Sequence, residues 1–223
     1  MAKRSVAVIV AHPDDEVLLA GGAMARHVTG GDAVRTLFLA TGAAARGGRQ
    51  TAYINKLRAQ AARAAKVLGA SPPSFCDFPD NRMDTVPLLD VVQAIEAFLA
   101  KAPAAVVYTH HAGDLNVDHR IVHQAVVTAC RPLPGGAVRQ IYAGETLSST
   151  EWSPVDRFAP TTYVAIERFL EQKLKALACY EDEIRDFPHP RSIEAVRALA
   201  TVRGAEAGLD AAEAFYVVRD IHG

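Results

Sequence analysis

The sequence predicts an α/β fold, a mostly parallel sheet with helices on both faces, in a single domain over residues 1–223. Three observations carry this. Short Val-, Ile- and Leu-rich runs without polar alternation read as strands buried on both faces, they alternate with longer stretches of helical spacing, and glycines punctuate the ends of the helical stretches. Such alternation folds through right-handed crossovers that lay helices over the sheet.

In order along the chain, residues 5–11 are a first strand, 16–28 a helix ending at Gly30-Gly31, and 33–40 a second buried strand. The Ala- and Arg-rich stretch 50–68 is a helix stopped by Gly69, 74–78 a short strand, 87–102 a helix and 104–109 a strand. After a loop, 118–130 is helical and 140–143 is a further strand. The segment 132–160, rich in Pro, Gly, Ser and Thr, is too long for a simple connection and reads as a functional loop or lid. Residues 166–180 and 192–204 read as two C-terminal helices.

Composition narrows the function. The chain has 223 residues, 50% of them apolar, enough to fill a sizeable core. Lys plus Arg total 24 against 25 for Asp plus Glu, a net charge of -1, so no global field favours nucleic acid or an anionic membrane. The longest apolar run covers residues 6–11, whereas a bilayer span needs about 20 residues, and the acidic residues behind that run interrupt it too soon for a secretory signal. A cytoplasmic protein without a membrane span is expected. Cys76, Cys130 and Cys179 are widely spaced and form no C-x-x-C pair, which speaks against a disulfide framework or a cysteine zinc site.

Two constellations carry chemistry. His12-Pro13-Asp14-Asp15-Glu16 falls where the first strand passes into the first helix, which in an open α/β sheet is the carboxyl edge where ligands bind. Pro13 suits the opening of a helix, so His12 and Asp15 can converge across the turn with Asp14 beside them. An imidazole and a carboxylate supply two ligands of a catalytic zinc site. Helix capping is the plain alternative for the acids, although it leaves His12 unexplained.

The second constellation runs from Thr109 to Arg120, where the strand 104–109 ends, and it contains His110, His111 and His119. His119, at a helix start, is the expected third ligand, with Asp118 to orient it, because ligating histidines usually donate their other N–H to a carboxylate or carbonyl. His110 and His111 are read as pocket donors or as strand-end residues. His123 pairs with His119 at i, i+4, but the H-E-x-x-H pattern fails at Arg120, so a core or supporting histidine is expected there. A two-His-one-carboxylate set also suits Fe(II) or Co(II). Gly21-Gly22 lies inside a helix without a G-x-G-x-x-G pattern, and no G-x-S-x-G elbow occurs, so neither a dinucleotide site nor a serine hydrolase is indicated. The loop 41–49 carries Arg46 and Arg49, which could receive an anionic or polyhydroxylated group.

With these residues in view, Val8-Ile9-Val10-Ala11-His12-Pro13-Asp14-Asp15-Glu16-Val17-Leu18 closely resembles the A-H-P-D-D-E motif of the LmbE-like, or PIG-L, deacetylases. The likeness continues through Phe78-Pro79-Asp80-Asn81-Arg82, through Gly113 to Arg120, and into Ala212-Glu213-Ala214-Phe215. The resemblance implies a Rossmann-like fold and a zinc-dependent enzyme that removes acetyl groups from N-acetylated amino sugars or their conjugates. It implies His12, Asp15 and His119 as ligands of one Zn2+ and Asp14 as general base. Where many members carry H-P-D-H, this chain has Asn116-Val117-Asp118-His119, so an oxyanion-stabilising histidine is replaced by Asn116, which can donate a hydrogen bond but cannot act as an acid. His110 or His111 is expected to supply that function, His111 being the catalytic candidate and His110 the substrate-binding one.

Arg46, Arg82 and the 132–160 segment are the expected substrate contacts, since sugars and sugar phosphates need hydrogen-bond forks. Trp152, the only Trp, could stack on a pyranose face, and His189-Pro190-Arg191 could add a donor. The expected partner is a small N-acetylated sugar or conjugate, with homo-oligomerisation left open. The competing readings are a noncatalytic metal- or sugar-binding module and a zinc hydrolase of another amide or ester bond.

Overall fold

In the computed structural model, which describes residues 3–40 and 50–222, the chain runs through seven strands and six helices. In order these are β1 (Ser5–Val10), α1 (Asp15–Thr29), β2 (Ala33–Ala40), α2 (Gln50–Leu68), β3 (Ser74–Phe78), α3 (Leu88–Lys101), β4 (Val106–His110), α4 (Val117–Ala129) and β5 (Gln140–Gly144). Then come β6 (Thr162–Ala165), α5 (Leu170–Leu177), α6 (Ile193–Ala207) and β7 (Ala212–Asp220). Short 3-10 turns lie at Met83–Thr85 and Thr150–Trp152.

The strands form one sheet in the order β3-β2-β1-β4-β5-β7-β6. The first five run parallel, β7 lies antiparallel to β5, and β6 lies antiparallel to β7. Strand β1 shows why its run is uniformly apolar. Val6, Val8 and Val10 pack into a core shared with α1, α2 and α5, while Ala7 and Ile9 pack into a second core shared with α3 and α4. Both faces are dry, and each fully buried Val or Ile contributes about 1.5–3 kcal/mol of transfer free energy.

The chain moves outward from β1 through β2 to β3, then returns to place β4 on the other side of β1. The carboxyl ends of β1 and β4 therefore flank the point where strand order reverses, and an open crevice forms there. Both chemical constellations follow these two strands.

The last third differs from expectation. Within the 132–160 segment β5 lies where the strand 140–143 was expected, and the stretch read as loop after it also holds the Thr150–Trp152 turn. The helix expected over 166–180 shrinks to α5, and two strands, β6 and β7, stand where none was read. β7 hid itself because its inward positions include a charge: Glu213 is buried and paired with Lys173, whose Nζ lies 2.7 Å from Glu213 Oε1. The same carboxylate accepts the N–H groups of Gly22 (2.8 Å) and Ala23 (2.7 Å). These donors are released by a kink in α1 at Ala20, whose φ of -143° leaves the helical range. Gly22 is required at this kink, since a Cβ there would stand 2.6 Å from Ile166 Cγ2. Among the described residues, no helix is long and apolar enough to cross a membrane.

Candidate metal centre and active site

The turn after β1 is built around a backbone distortion. Asp14 has φ 114° and ψ -30°, a conformation that costs a non-Gly residue about 1–3 kcal/mol, and its neighbours hold it in place. Its N–H donates to Glu16 Oε2 at 3.1 Å, and the His12 N–H donates to Asp15 Oδ2 at 2.8 Å. The distortion turns Asp14, Asp15 and His12 onto one cavity of about 220 Å³.

Beyond β4, Asn116 caps α4, its Oδ1 accepting the Asp118 N–H at 2.8 Å, so the first turn of α4 delivers Asp118 and His119 to the same place. His12 Nδ1 and His119 Nε2 each stand 3.3 Å from Asp15 Oδ2. One atom from each of the three residues lies within 4.8 Å of the others. A tetrahedral ion with bonds of about 2.0–2.1 Å requires ligand atoms separated by roughly 3.3 Å. His119 Nε2 is also buried without a hydrogen bond of acceptable geometry, although Asp15 is near. A buried nitrogen left in that state fits a cation ligand.

A second acidic group, His12 with Asp80 and Asp118, is committed to internal support. Asp118 accepts the N–H groups of Asn81 (2.7 Å) and Met83 (3.0 Å), and His12 Nε2 reaches its Oδ2 at 3.0 Å. By donating through Nε2, His12 leaves Nδ1 free for a cation. This corrects the sequence reading in which Asp118 orients His119. His119 Nδ1 instead lies 3.1 Å from Asp114 Oδ1, and Asp114 is fixed by the hydroxyls of Ser149 (3.0 Å) and Thr150 (2.5 Å).

Electrostatics follow from this arrangement. Burial disfavours a charged His119, but Asp15 and Asp114 outweigh it and raise its pKa to about 9. His12 is likewise raised well above its ordinary value, its hydrogen bonds to Asp118, Asp15 and Asp80 overcoming burial. Burial opposes ionisation of Asp15 too, yet the charge of His119 and the hydrogen bonds from His119 and His12 hold its carboxyl well below the usual range. The centre is tuned for positive charge. Burial and the Asp15 charge push Asp14 upward, with Arg191 opposing them.

His110 is fully buried and does not line the cavity. The Ala11 N–H donates to its Nε2 at 2.9 Å, so its proton sits on Nδ1, 3.1 Å from Thr146 Oγ1, and the ring stacks on His119 at 3.8 Å. Burial and His119 lower its pKa to about 3. His110 is therefore a neutral backing for His119, and its expected substrate contact is corrected. His111 is also misplaced by the sequence reading. Its Nε2 donates to the Asp156 carbonyl at 2.7 Å, and it lines a separate pocket beside His123, so it brings no group to the cavity. His123 donates to the His110 carbonyl at 2.8 Å, as a supporting residue would.

Asn116 lines the cavity, its amide nitrogen donating to Asn81 Oδ1 at 3.1 Å. Arg82 is exposed and Trp152 is 52% exposed, and neither lines the cavity. Trp152 meets His189 edge-on at 6.3 Å. Arg46 lies outside the described residues, as does Arg49. Glu183 was not read as a site residue, Asp114 was read only as part of the Thr109 to Arg120 constellation, and the hydroxyls of residues 146–150 only within the 132–160 segment. Their acidic or polar identity was visible, but their convergence depends on pairings across dozens of residues.

The family model described as GlcNAc-PI de-N-acetylase, PIG-L, matches residues 7–130, more than half of the chain, from within β1 to the end of α4. The chain belongs to the PIG-L family. It is 30% identical over 181 residues, covering 78% of this chain and 89% of the relative, to the protein described as uncharacterized deacetylase YaiS of Escherichia coli (strain K12). Among solved structures, this PIG-L chain resembles N,N'-diacetylchitobiose deacetylase from Pyrococcus horikoshii, with TM-score 0.79 and 19% identity over 97% of this chain and 84% of that one. It also resembles GalB, the 4-carboxy-2-hydroxymuconate hydratase from Pseudomonas putida KT2440, with TM-score 0.75 and 23% identity over 99% and 98% of the two chains. At these identities the two structures speak for a shared fold, and they show that the fold hosts more than one reaction.

Proposed function

We propose that this PIG-L chain is a metal-dependent hydrolase that removes the acetyl group from an N-acetylated amino sugar or sugar conjugate, with Zn2+ as the preferred ion and Fe(II) or Co(II) as substitutes. The observation that carries this is the convergence on one cavity, beside Asp14, of His12 Nδ1, Asp15 Oδ2 and a His119 Nε2 buried without a hydrogen bond of acceptable geometry. The deacetylase description of YaiS supports it. A divalent ion held by these three residues supplies the Lewis acidity that polarises an amide carbonyl and makes water a usable nucleophile near neutral pH.

The chain's own residues account for the proton movements. Asp14, on the cavity wall, takes the proton of the attacking water and returns it to the departing nitrogen. No other acid is needed, and with His110 buried and His111 elsewhere, no histidine takes the donor role expected of them. Asn116 keeps one amide hydrogen beyond the one given to Asn81, and that hydrogen is the donor for the developing oxyanion. Asp118 and Asp114 hold the rings of His12 and His119 in register.

Acetate release tests this. The metal-loaded protein is expected to liberate acetate from N-acetylglucosamine or N,N'-diacetylchitobiose, and Asp14→Asn to keep its metal while losing about 10²-fold or more in kcat. Near-normal turnover by a metal-bearing Asp14→Asn would discard Asp14 as base. Hydration of an unsaturated carboxylic acid with no acetate from any N-acetylated sugar would discard the deacetylase reading in favour of the hydratase chemistry found on the same fold.

A further inference from the structure

We propose that Arg191 is a positioning residue for Asp14, acting as a bracket that fixes one carboxylate oxygen of the base so that the other is presented to the cavity. The proposal rests on the reading of Asp14 as general base. Arg191 lies beyond α5, outside the residues matched by the family model, and 177 positions from Asp14. Its Nη1 stands 3.2 Å from Asp14 Oδ2 and 3.2 Å from Glu183 Oε2, so one guanidinium nitrogen bridges the two carboxylates. Glu183 is anchored in turn by the Tyr53 hydroxyl of α2, 2.7 Å from its Oε1.

The bracket acts where the backbone gives little guidance. Asp14 caps α1 at φ 114° but its side chain makes no capping hydrogen bond to the helix, and its Oδ1 makes no hydrogen bond among the described residues. Both contacts come from Nη1, whose two N–H groups are fixed in the guanidinium plane, so they constrain direction as well as charge, which a freely rotating ammonium does not. Arg191 and Glu183 both line the cavity with Asp14. The loop 181–192 thereby reaches from the C-terminal third to the turn after β1.

A contact made by the substrate with Arg191 would show in KM, whereas a bracket on the base shows in kcat. Arg191→Ala is expected to lose about 10²-fold in kcat, the usual cost of misplacing a reacting group by about 1 Å, with KM changed by no more than about twofold and metal content unchanged. Methylguanidine added to Arg191→Ala is expected to restore part of kcat. An unchanged kcat, or a loss carried by KM, overturns the proposal. Should Arg191→Ala fail to fold, Arg191→Lys keeps the stem and the charge, and full activity in it overturns the bridging geometry. Crystal structures of the metal-loaded wild type and Arg191→Ala decide the point without turnover: a displaced Asp14 carboxylate supports the bracket, and an unmoved one refutes it. If the wild type releases no acetate, the deacetylase reading fails while this structural comparison still answers the question about Arg191.

Discussion

Replacing Glu16 with Gln should stabilise the metal-free protein in a manner that depends steeply on pH. Glu16 is 2% exposed, with Asp14 N–H on one carboxylate oxygen and the Tyr180 hydroxyl on the other. Burial raises its pKa from an ordinary 4.5 to about 7, the hydrogen bond from Tyr180 opposing part of the rise. Because the folded value lies above the unfolded one, the folded chain retains a proton that the unfolded chain releases between pH 4.5 and about 7. Stability is thus present below pH 4.5 and is lost as pH climbs through that window. A rise of about 2.5 pH units, at about 1.36 kcal/mol each, amounts to about 3 kcal/mol at pH 8.5. Gln is isosteric and uncharged, accepts the Asp14 N–H through its oxygen, and donates to the Tyr180 oxygen through its nitrogen. Urea denaturation of the chelator-treated proteins should give matching midpoints at pH 4.5 and a variant more stable by up to about 3 kcal/mol at pH 8.5. A difference that does not change with pH, or a variant less stable at pH 8.5, would refute the assignment of a protonated Glu16.

Three other outcomes are expected. Metal affinity should climb with pH up to about 9, and not level off near 6.5, because an ion must displace the His119 proton that Asp15 and Asp114 stabilise; a competition titration across pH measures this. Asp114→Asn should weaken metal binding by about 10- to 100-fold through His119, and Asp118→Asn should do so separately through His12, which zinc titration of each variant checks. Lys173→Met should destabilise the fold by about 3–5 kcal/mol in urea, since it strands the buried Glu213 carboxylate on two backbone donors.

Much of the architecture was legible because its signals are local. A strand buried on both faces must be apolar at every position, as residues 6–10 are, and Gly30 and Gly69 close α1 and α2 where the sequence placed their ends. The His12 to Glu16 turn and the Thr109 to Arg120 loop could be assigned to one sheet edge because parallel strands joined by crossovers all present their carboxyl ends on the same side. β6 and β7 escaped because one is four residues long and the other buries a glutamate, and neither shows the period of its surroundings.

The sequence by itself determined which residue types meet at that edge, a histidine and three acids from one strand and further histidines and acids from another. Only the tertiary structure decided what each does. His110 and His111 are adjacent in the chain, but His110 closes β4 while His111 begins the loop beyond it, so one backs His119 and the other leaves the cavity altogether. Asp118 neighbours His119 in sequence but serves His12, and Asp114 takes its place, because consecutive helical residues diverge by about 100° and cannot share a partner. Arg191 reaches Asp14 across 177 residues by packing alone, a distance over which no local pattern carries information.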